Sequence, residues 1–182
     1  MALLTGLRLG ELLGLRWQDV DFDQAVLRVQ QTCQWMPRQG FIFRQPKSYR
    51  SVRPVALSPD TVERLRQCRV KLLEERLAAG TAYEDRNLVF ANALGAPIHT
   101  STLRGAWLRM LKKAGLDHIR FHDLRHAHVR LLVAQGVYPK IVSEHLGHAT
   151  VGITLDTYSH VLPGLQREAA AGLDAFLQRK KA

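Results

Sequence analysis

The sequence predicts a mainly helical α+β domain carrying one small antiparallel sheet. Two patterns and their punctuation carry that prediction. Apolar residues recur at three- and four-residue spacing along most of the chain, the period of a helix. Period-two alternation is confined to about residues 25–57, the signature of strands. Ser, Pro and Gly stand at the joints between these stretches, where helices start and stop.

Met1-Ala2-Leu3-Leu4 is apolar and helix-like, and Leu9, Leu12, Leu13 and Trp17 form a second helical stripe. A free-standing domain seldom opens on an uncapped apolar turn. Residues 1–182 are therefore expected to be one domain shortened at its N-terminus, with a helix or a whole upstream domain missing. Alternation at 25–32, at Phe41-Ile42-Phe43 and at 52–57 predicts three strands of one antiparallel sheet. Pro37 and Gly40 supply a turn, and Pro54 puts the third strand at an edge, where no N–H is needed. Ser58 then caps a helix with Pro59 at its first position; Val62, Leu65, Leu72 and Leu73 form its apolar face, and it runs to about Gly80. Leu88-Val89-Phe90 lies in a loop. Further helices are expected over about 100–114, 122–135, 139–146 and 150–160, the first two stopped by Gly115 and Gly136. Pro163-Gly164 breaks the chain before a last helix to about Gln178. On it Leu165, Ala169, Leu173, Phe176 and Leu177 share one stripe.

The 182 residues include 26 Lys and Arg against 16 Asp and Glu, a net charge of +10, with 46% hydrophobic residues. That composition excludes wholesale disorder, and the length suits one domain with a real core. The positive excess predicts an anionic partner. A membrane partner is disfavoured, because no apolar run approaches the ~18 residues of a spanning helix. With no basic leader or cleavage site at the start, the expected location is the cytoplasm. Cys33 and Cys68 lie in different elements without CxxC spacing, so neither a disulfide framework nor a cysteine zinc site is indicated.

Five segments invite a chemical reading. Arg8 and Glu11 in Thr5-Gly6-Leu7-Arg8-Leu9-Gly10-Glu11 stand three apart at a helix start and can pair. Lys47 sits in a turn after a strand. In His122-Asp123-Leu124-Arg125-His126, helical spacing puts His122 on one face with Arg125 and with His126. Gly147 ends a helix and places His148 on an exposed corner. Tyr158 and His160 follow. Taken singly, each has a bland explanation: a surface ion pair, a solvated lysine, a core or surface tyrosine.

Their order and spacing are more specific. Thr5-Gly6-Leu7-Arg8-Leu9-Gly10-Glu11-Leu12-Leu13, Lys47, His122-Asp123-Leu124-Arg125-His126, Leu146-Gly147-His148 and Thr154-Leu155-Asp156-Thr157-Tyr158-Ser159-His160 together resemble the catalytic domain of the tyrosine recombinases, the phage integrase family. The resemblance covers essentially the whole chain. It implies the tyrosine recombinase catalytic-domain fold, and the family's N-terminal core-binding domain is expected to be missing from these residues. It also implies site-specific DNA recombination, integration or excision, through a 3′-phosphotyrosyl intermediate. By the same resemblance, Arg8 and Arg125 hold the scissile phosphate and Lys47 protonates the leaving oxygen. His122 stands a turn before the second arginine, His148 donates to the phosphate, and Tyr158 is the nucleophile. No cofactor or metal is implied. The implied partners are double-stranded DNA and further copies of the chain, a tetramer on DNA joined through the C-terminal helix.

The physical chemistry stands beside the resemblance. A phosphodiester repels nucleophiles, and its transition state gathers charge on the non-bridging oxygens. Guanidinium forks donate bidentate, charge-assisted bonds to such an anion and keep their charge. Preorganised donors of this kind are typically worth ~3–4 kcal/mol each. A phenol with a reference pKa near ~10 needs a base or a cationic setting, and a 5′ oxygen leaves only with an acid. A phosphotyrosyl bond conserves the diester's energy, so a second 5′-hydroxyl can reseal the strand.

Three rivals remain on sequence grounds. Relaxation in the manner of type IB topoisomerases uses the same chemistry, although the short spacing from His122 to Tyr158 looks like integrases. A catalytically impaired DNA-binding fragment would keep the motifs without the activity. A zinc enzyme built on His122 and His126, with His118 or His128 nearby, has ligand spacing but lacks a Glu between the two and sets Arg125 beside the cation.

Overall fold

The computed structural model describes residues 1–46, 51–148, 150–152 and 154–155. Lys47, Tyr158 and the expected last helix lie outside the described residues, as does most of the helix expected over 150–160.

Two short helices open the chain, α1 (Ala2–Thr5) and α2 (Leu9–Gly14), divided by Gly6. Gly6 has φ +63°, and a Cβ there would lie 2.6 Å from His128 Cδ2 and 2.7 Å from Leu146 Cδ2. Only glycine meets both demands. The second stripe expected from Leu9 to Trp17 ends early, at Gly14. Trp17 belongs to a separate 3₁₀ turn, Trp17–Asp19, whose Asp19 is held by the Arg16 guanidinium at 2.9 Å.

The expected single sheet is corrected. A three-stranded antiparallel sheet does form, from β1 (Val20–Asp21), β2 (Val26–Val29) and an edge strand, Arg53–Ala56, with Leu27 opposite both Val20 and Val55. Pro54 lies on that edge, as its missing donor requires. Residues 41–43 are not part of it. They fall in β4 (Gly40–Arg44), which among the described residues pairs with β3 (Thr32–Met36) alone, in a separate hairpin; Arg53–Ala56 is therefore β5. The cause is a break in the alternating run at Gln30-Gln31. There the Gln31 side-chain amide donates to the Gly14 carbonyl at 2.8 Å and turns the chain onto α2. The approach is close enough that a Cβ on Gly14 would sit 2.9 Å from the Cys33 nitrogen. On the hairpin's outer side the Trp35 ring packs edge-on against Phe41 and His99, both at 5.0 Å.

The long helix α3 (Pro59–Ala79) starts as expected, with Ser58 Oγ accepting from the Thr61 amide. Val62 and Leu65 are buried, but Leu72 is half-buried and Leu73 exposed, so the apolar face is shorter than predicted. Where that face gives out, Arg66 and Arg69 lie over the rings of Phe22 and Trp17 instead. Three helices complete the described fold: α4 (Thr100–Lys113), α5 (Asp123–Ala134) and α6 (Pro139–Leu146), each close to its expected span.

One core joins α2, the sheet and α3 through Leu7, Leu12, Leu27, Val55 and Leu65; a second joins α5 to α6 through Val129, Val133, Val142 and Leu146. Leu27, Val55, Leu65 and Leu146 are no more than 1% exposed, and each such burial contributes roughly 1.5–3 kcal/mol. Cys33 is buried, Cys68 half-buried, and both are free thiols. Among the described residues no helix is long and apolar enough to cross a membrane.

Candidate active site

The site is assembled around a buried carboxylate. Glu11, in the first turn of α2, is 3% exposed and accepts four hydrogen bonds. Two come from Arg8, from its backbone N–H at 2.8 Å and its Nη1 at 3.0 Å. Two come from Arg53 of β5, from Nη1 at 3.1 Å and Nη2 at 3.0 Å. Burial pushes the Glu11 carboxyl up, but the hydrogen bond and charge of Arg53, then those of Arg8, hold it below the ordinary carboxylate range. The Arg8 guanidinium is thus tethered at one nitrogen, while its side chain stays 41% exposed.

Arg125 spans the two loops that carry Arg8 and His148. It is 5% exposed; Nη1 donates to the Gly6 carbonyl at 2.6 Å and Nη2 to the Leu146 carbonyl at 2.8 Å. Arg53 Nε donates to the neighbouring His145 carbonyl at 2.6 Å. The last carbonyls of α6, which have no partner within the helix, are therefore capped by two cations at the negative end of its dipole. Burial, then the charge of Arg8, pushes Arg125 down to about 9, so it remains charged at neutral pH. Two of its five N–H groups serve these carbonyls.

Behind this layer two histidines lock α1 to α5 and α6. The His128 and His145 rings stack at 5.0 Å with their Nε2 atoms 3.1 Å apart. His128 Nδ1 lies 2.8 Å from the Leu3 carbonyl, and His145 Nε2 lies 3.1 Å from that of Thr5. Both carbonyls demand donors, so His128 carries its proton on Nδ1 and His145 on Nε2, and both rings are neutral. Burial first, then the His128 ring, pushes His145 down to about 4.

His148 follows Gly147, whose left-handed conformation ends α6. It is half-buried rather than on the exposed corner expected, and its Nδ1 is 2.8 Å from Thr154 Oγ1. Burial, then Arg125, Arg8 and Arg53, pushes its proton affinity down to about 4. His122 occupies the N-cap position of α5 without a side-chain capping bond, and its ring lies 5.4 Å from that of His126. Burial, then His126 and Arg125, lowers its proton affinity too. Arg53, His145, Gly147 and His148 line one side of a hollow of about 740 Å³.

Four of the six residues singled out from sequence thus belong to one electrostatic neighbourhood: Arg8, His122, Arg125 and His148. Lys47 and Tyr158 lie outside the described residues. Sequence reasoning missed Arg53 and His145, and named His128 only as a nearby histidine in the zinc reading. Arg53 had a signal: it shares its strand face with Val55 and Leu57, and a charge at an inward strand position needs a buried partner. The zinc reading finds no support in the geometry. His128 faces the core, and among the described residues no group of three or more His, Cys, Asp and Glu side chains could hold a metal ion.

The model of the phage integrase family matches residues 1–164. The chain is 35% identical to a tyrosine recombinase XerC-like protein of Caldanaerobacter subterraneus subsp. tengcongensis and 33% identical to the ICEBs1 integrase of Bacillus subtilis, covering 97% of this chain and 48% of either relative. It therefore spans about half the length of the curated relatives it matches. Its fold is similar to that of the Tn1549 transposon integrase in complex with circular intermediate DNA, with a TM-score of 0.78 at 23% identity over 94% of this chain and 56% of that one. The XerA recombinase gives a TM-score of 0.65 at 26% identity, over 94% of this chain and 55% of that one. The expected tyrosine recombinase catalytic-domain fold is the one observed. With a family match over nine-tenths of its residues, the chain belongs to the phage integrase family.

Proposed function

We propose that residues 1–182 form the catalytic domain of a site-specific recombinase that cuts and rejoins double-stranded DNA through a 3′-phosphotyrosyl intermediate. The observation that carries this reading is the convergence of Arg8, Arg125 and His148, from three separate segments, on one cationic field. Arg8 and the remaining N–H groups of Arg125 hold the non-bridging oxygens of the scissile phosphate. Thr154 donates its hydroxyl proton to His148 Nδ1, which leaves Nε2–H as a further donor. Tyr158 Oη attacks phosphorus, and the bond from phosphorus to the 5′ oxygen breaks. The phenol proton passes to neutral His122 or to water, and Lys47 gives a proton to the departing 5′ oxygen. Attack by a second 5′-hydroxyl runs the step in reverse and reseals the strand. Four copies assemble on the duplex, joined through the stripe of Leu165, Ala169, Leu173, Phe176 and Leu177.

A duplex nicked so that the leaving strand diffuses away tests the reading. The chain should form a band that survives denaturing electrophoresis; no band would overturn the reading. Lys47→Ala should slow formation of the band, and a substrate with a better leaving group should restore it, since such a group needs no acid.

DNA binding should be salt-sensitive with little sequence preference, given the +10 balance. If the domain neutralises about five phosphates, log K should fall against log salt with a slope of roughly −4 to −5. Titration of a labelled duplex at several salt concentrations measures the slope, and a flat response would contradict the expectation.

A further inference from the structure

Arg53 ties together more of the site than any residue the sequence singled out. Its side chain is 5% exposed on β5 and uses all three guanidinium nitrogens. Nη1 and Nη2 hold the two oxygens of Glu11, Nη1 also donates to the Ser51 carbonyl at 3.1 Å, and Nε holds the His145 carbonyl at 2.6 Å. One planar fork thereby joins the turn that presents Arg8 to the corner that carries His148, and both to the start of β5. We infer that Arg53 is a positioning residue of the phosphate site, fixing Arg8 through Glu11 and His148 through the end of α6. The inference rests on the cleavage reading above.

The physical argument turns on Glu11. The carboxylate can grip Arg8 only while ionised, and burial works against its ionisation. Arg53 is the largest of the influences that oppose burial. The charged groups around the carboxylate are Arg8 from its own turn, Arg53 from β5 and Arg125 from α5; His145 and His148, on the α6 side, are neutral. Without Arg53 the carboxyl takes up a proton at higher pH, and the protonated form gives Arg8 a poorer anchor. Lysine in its place would keep a charge but could not grip two carboxylate oxygens and a carbonyl at once.

The test follows adduct formation on the nicked duplex from pH 5 to 9, with the full chain. Arg53→Gln should slow it on the order of 100-fold at pH 6, the scale of a misplaced catalytic group. Part of the rate should return toward pH 8, with the acidic limb displaced upward by about one pH unit or more. Arg53→Lys should keep the limb in place and lose about tenfold in rate at every pH, through the missing fork. A merely structural strut would lower the Arg53→Gln rate by one factor across the whole range, and that result, or an unchanged rate, would overturn the inference. Where a thermal melt shows Arg53→Gln unfolded, Arg53→Lys decides: a rate equal to that of the unmutated chain overturns it. An unmutated chain that forms no adduct removes the cleavage reading itself, and the inference with it.

Discussion

Tyr158→Phe should abolish the covalent adduct while leaving DNA affinity within about threefold, because one hydroxyl goes and no charge changes. Losing a nucleophile outright removes a path, not a fraction of a barrier, and comparable knock-outs cost on the order of 10⁴–10⁶-fold in rate. The position follows from the order of the residues. Tyr158 comes ten residues after His148, whose ring is fixed against Thr154 beside Arg125 and Arg8. A phenol brought into that field would meet cations that favour its ionised form. The nicked-duplex assay and a binding titration on the same preparation separate the two effects. An adduct that persists in Tyr158→Phe would mean that another residue is the nucleophile.

How much of this could be read from the sequence depended on whether the information was local. Helix starts are local, so Ser58 with Pro59, and Pro139, placed α3 and α6 closely. The pair of Arg8 and Glu11 is local as well, three residues apart at one helix start. Strand partners are not. Phe41-Ile42-Phe43 alternates equally well for either sheet, and its place was decided by a bond from Gln31 to Gly14 and by a glycine that lets β3 lie along α2. The bond from Arg53 to Glu11 crosses 42 residues, and that from His145 to Thr5 crosses 140. No spacing rule reaches so far. What the chain does display is a charge in an inward strand position, a sign that a partner exists but not of which one. The expected exposure of His148 failed for a related reason: Gly147 placed the corner, whereas its burial depends on neighbours distant in sequence.

Arg125→Ala should also end adduct formation, and here the structural and chemical shares can be told apart. Truncation leaves the Gly6 and Leu146 carbonyls without their donors, and an orphaned buried acceptor costs about 1–3 kcal/mol. Working against that loss, the guanidinium is itself strained by burial, which pushes it down to about 9. Removing it relieves that desolvation, so the net fall in stability should be about 1–3 kcal/mol rather than the sum of two orphaned groups. The catalytic loss is far larger. One preorganised donor contributes about 10²–10³ in rate, and the fork offers more than one to the phosphate, so a fall on the order of 10⁴-fold or more is expected. Arg125→Lys keeps the charge but cannot hold two carbonyls and a phosphate oxygen together, and should lose on the order of 10²-fold with a smaller change in melting. Melting curves and adduct rates of both variants give the two shares. A fall in melting temperature with the adduct rate preserved would make Arg125 a strut between the Gly6 turn and α6, and would take it out of the phosphate site.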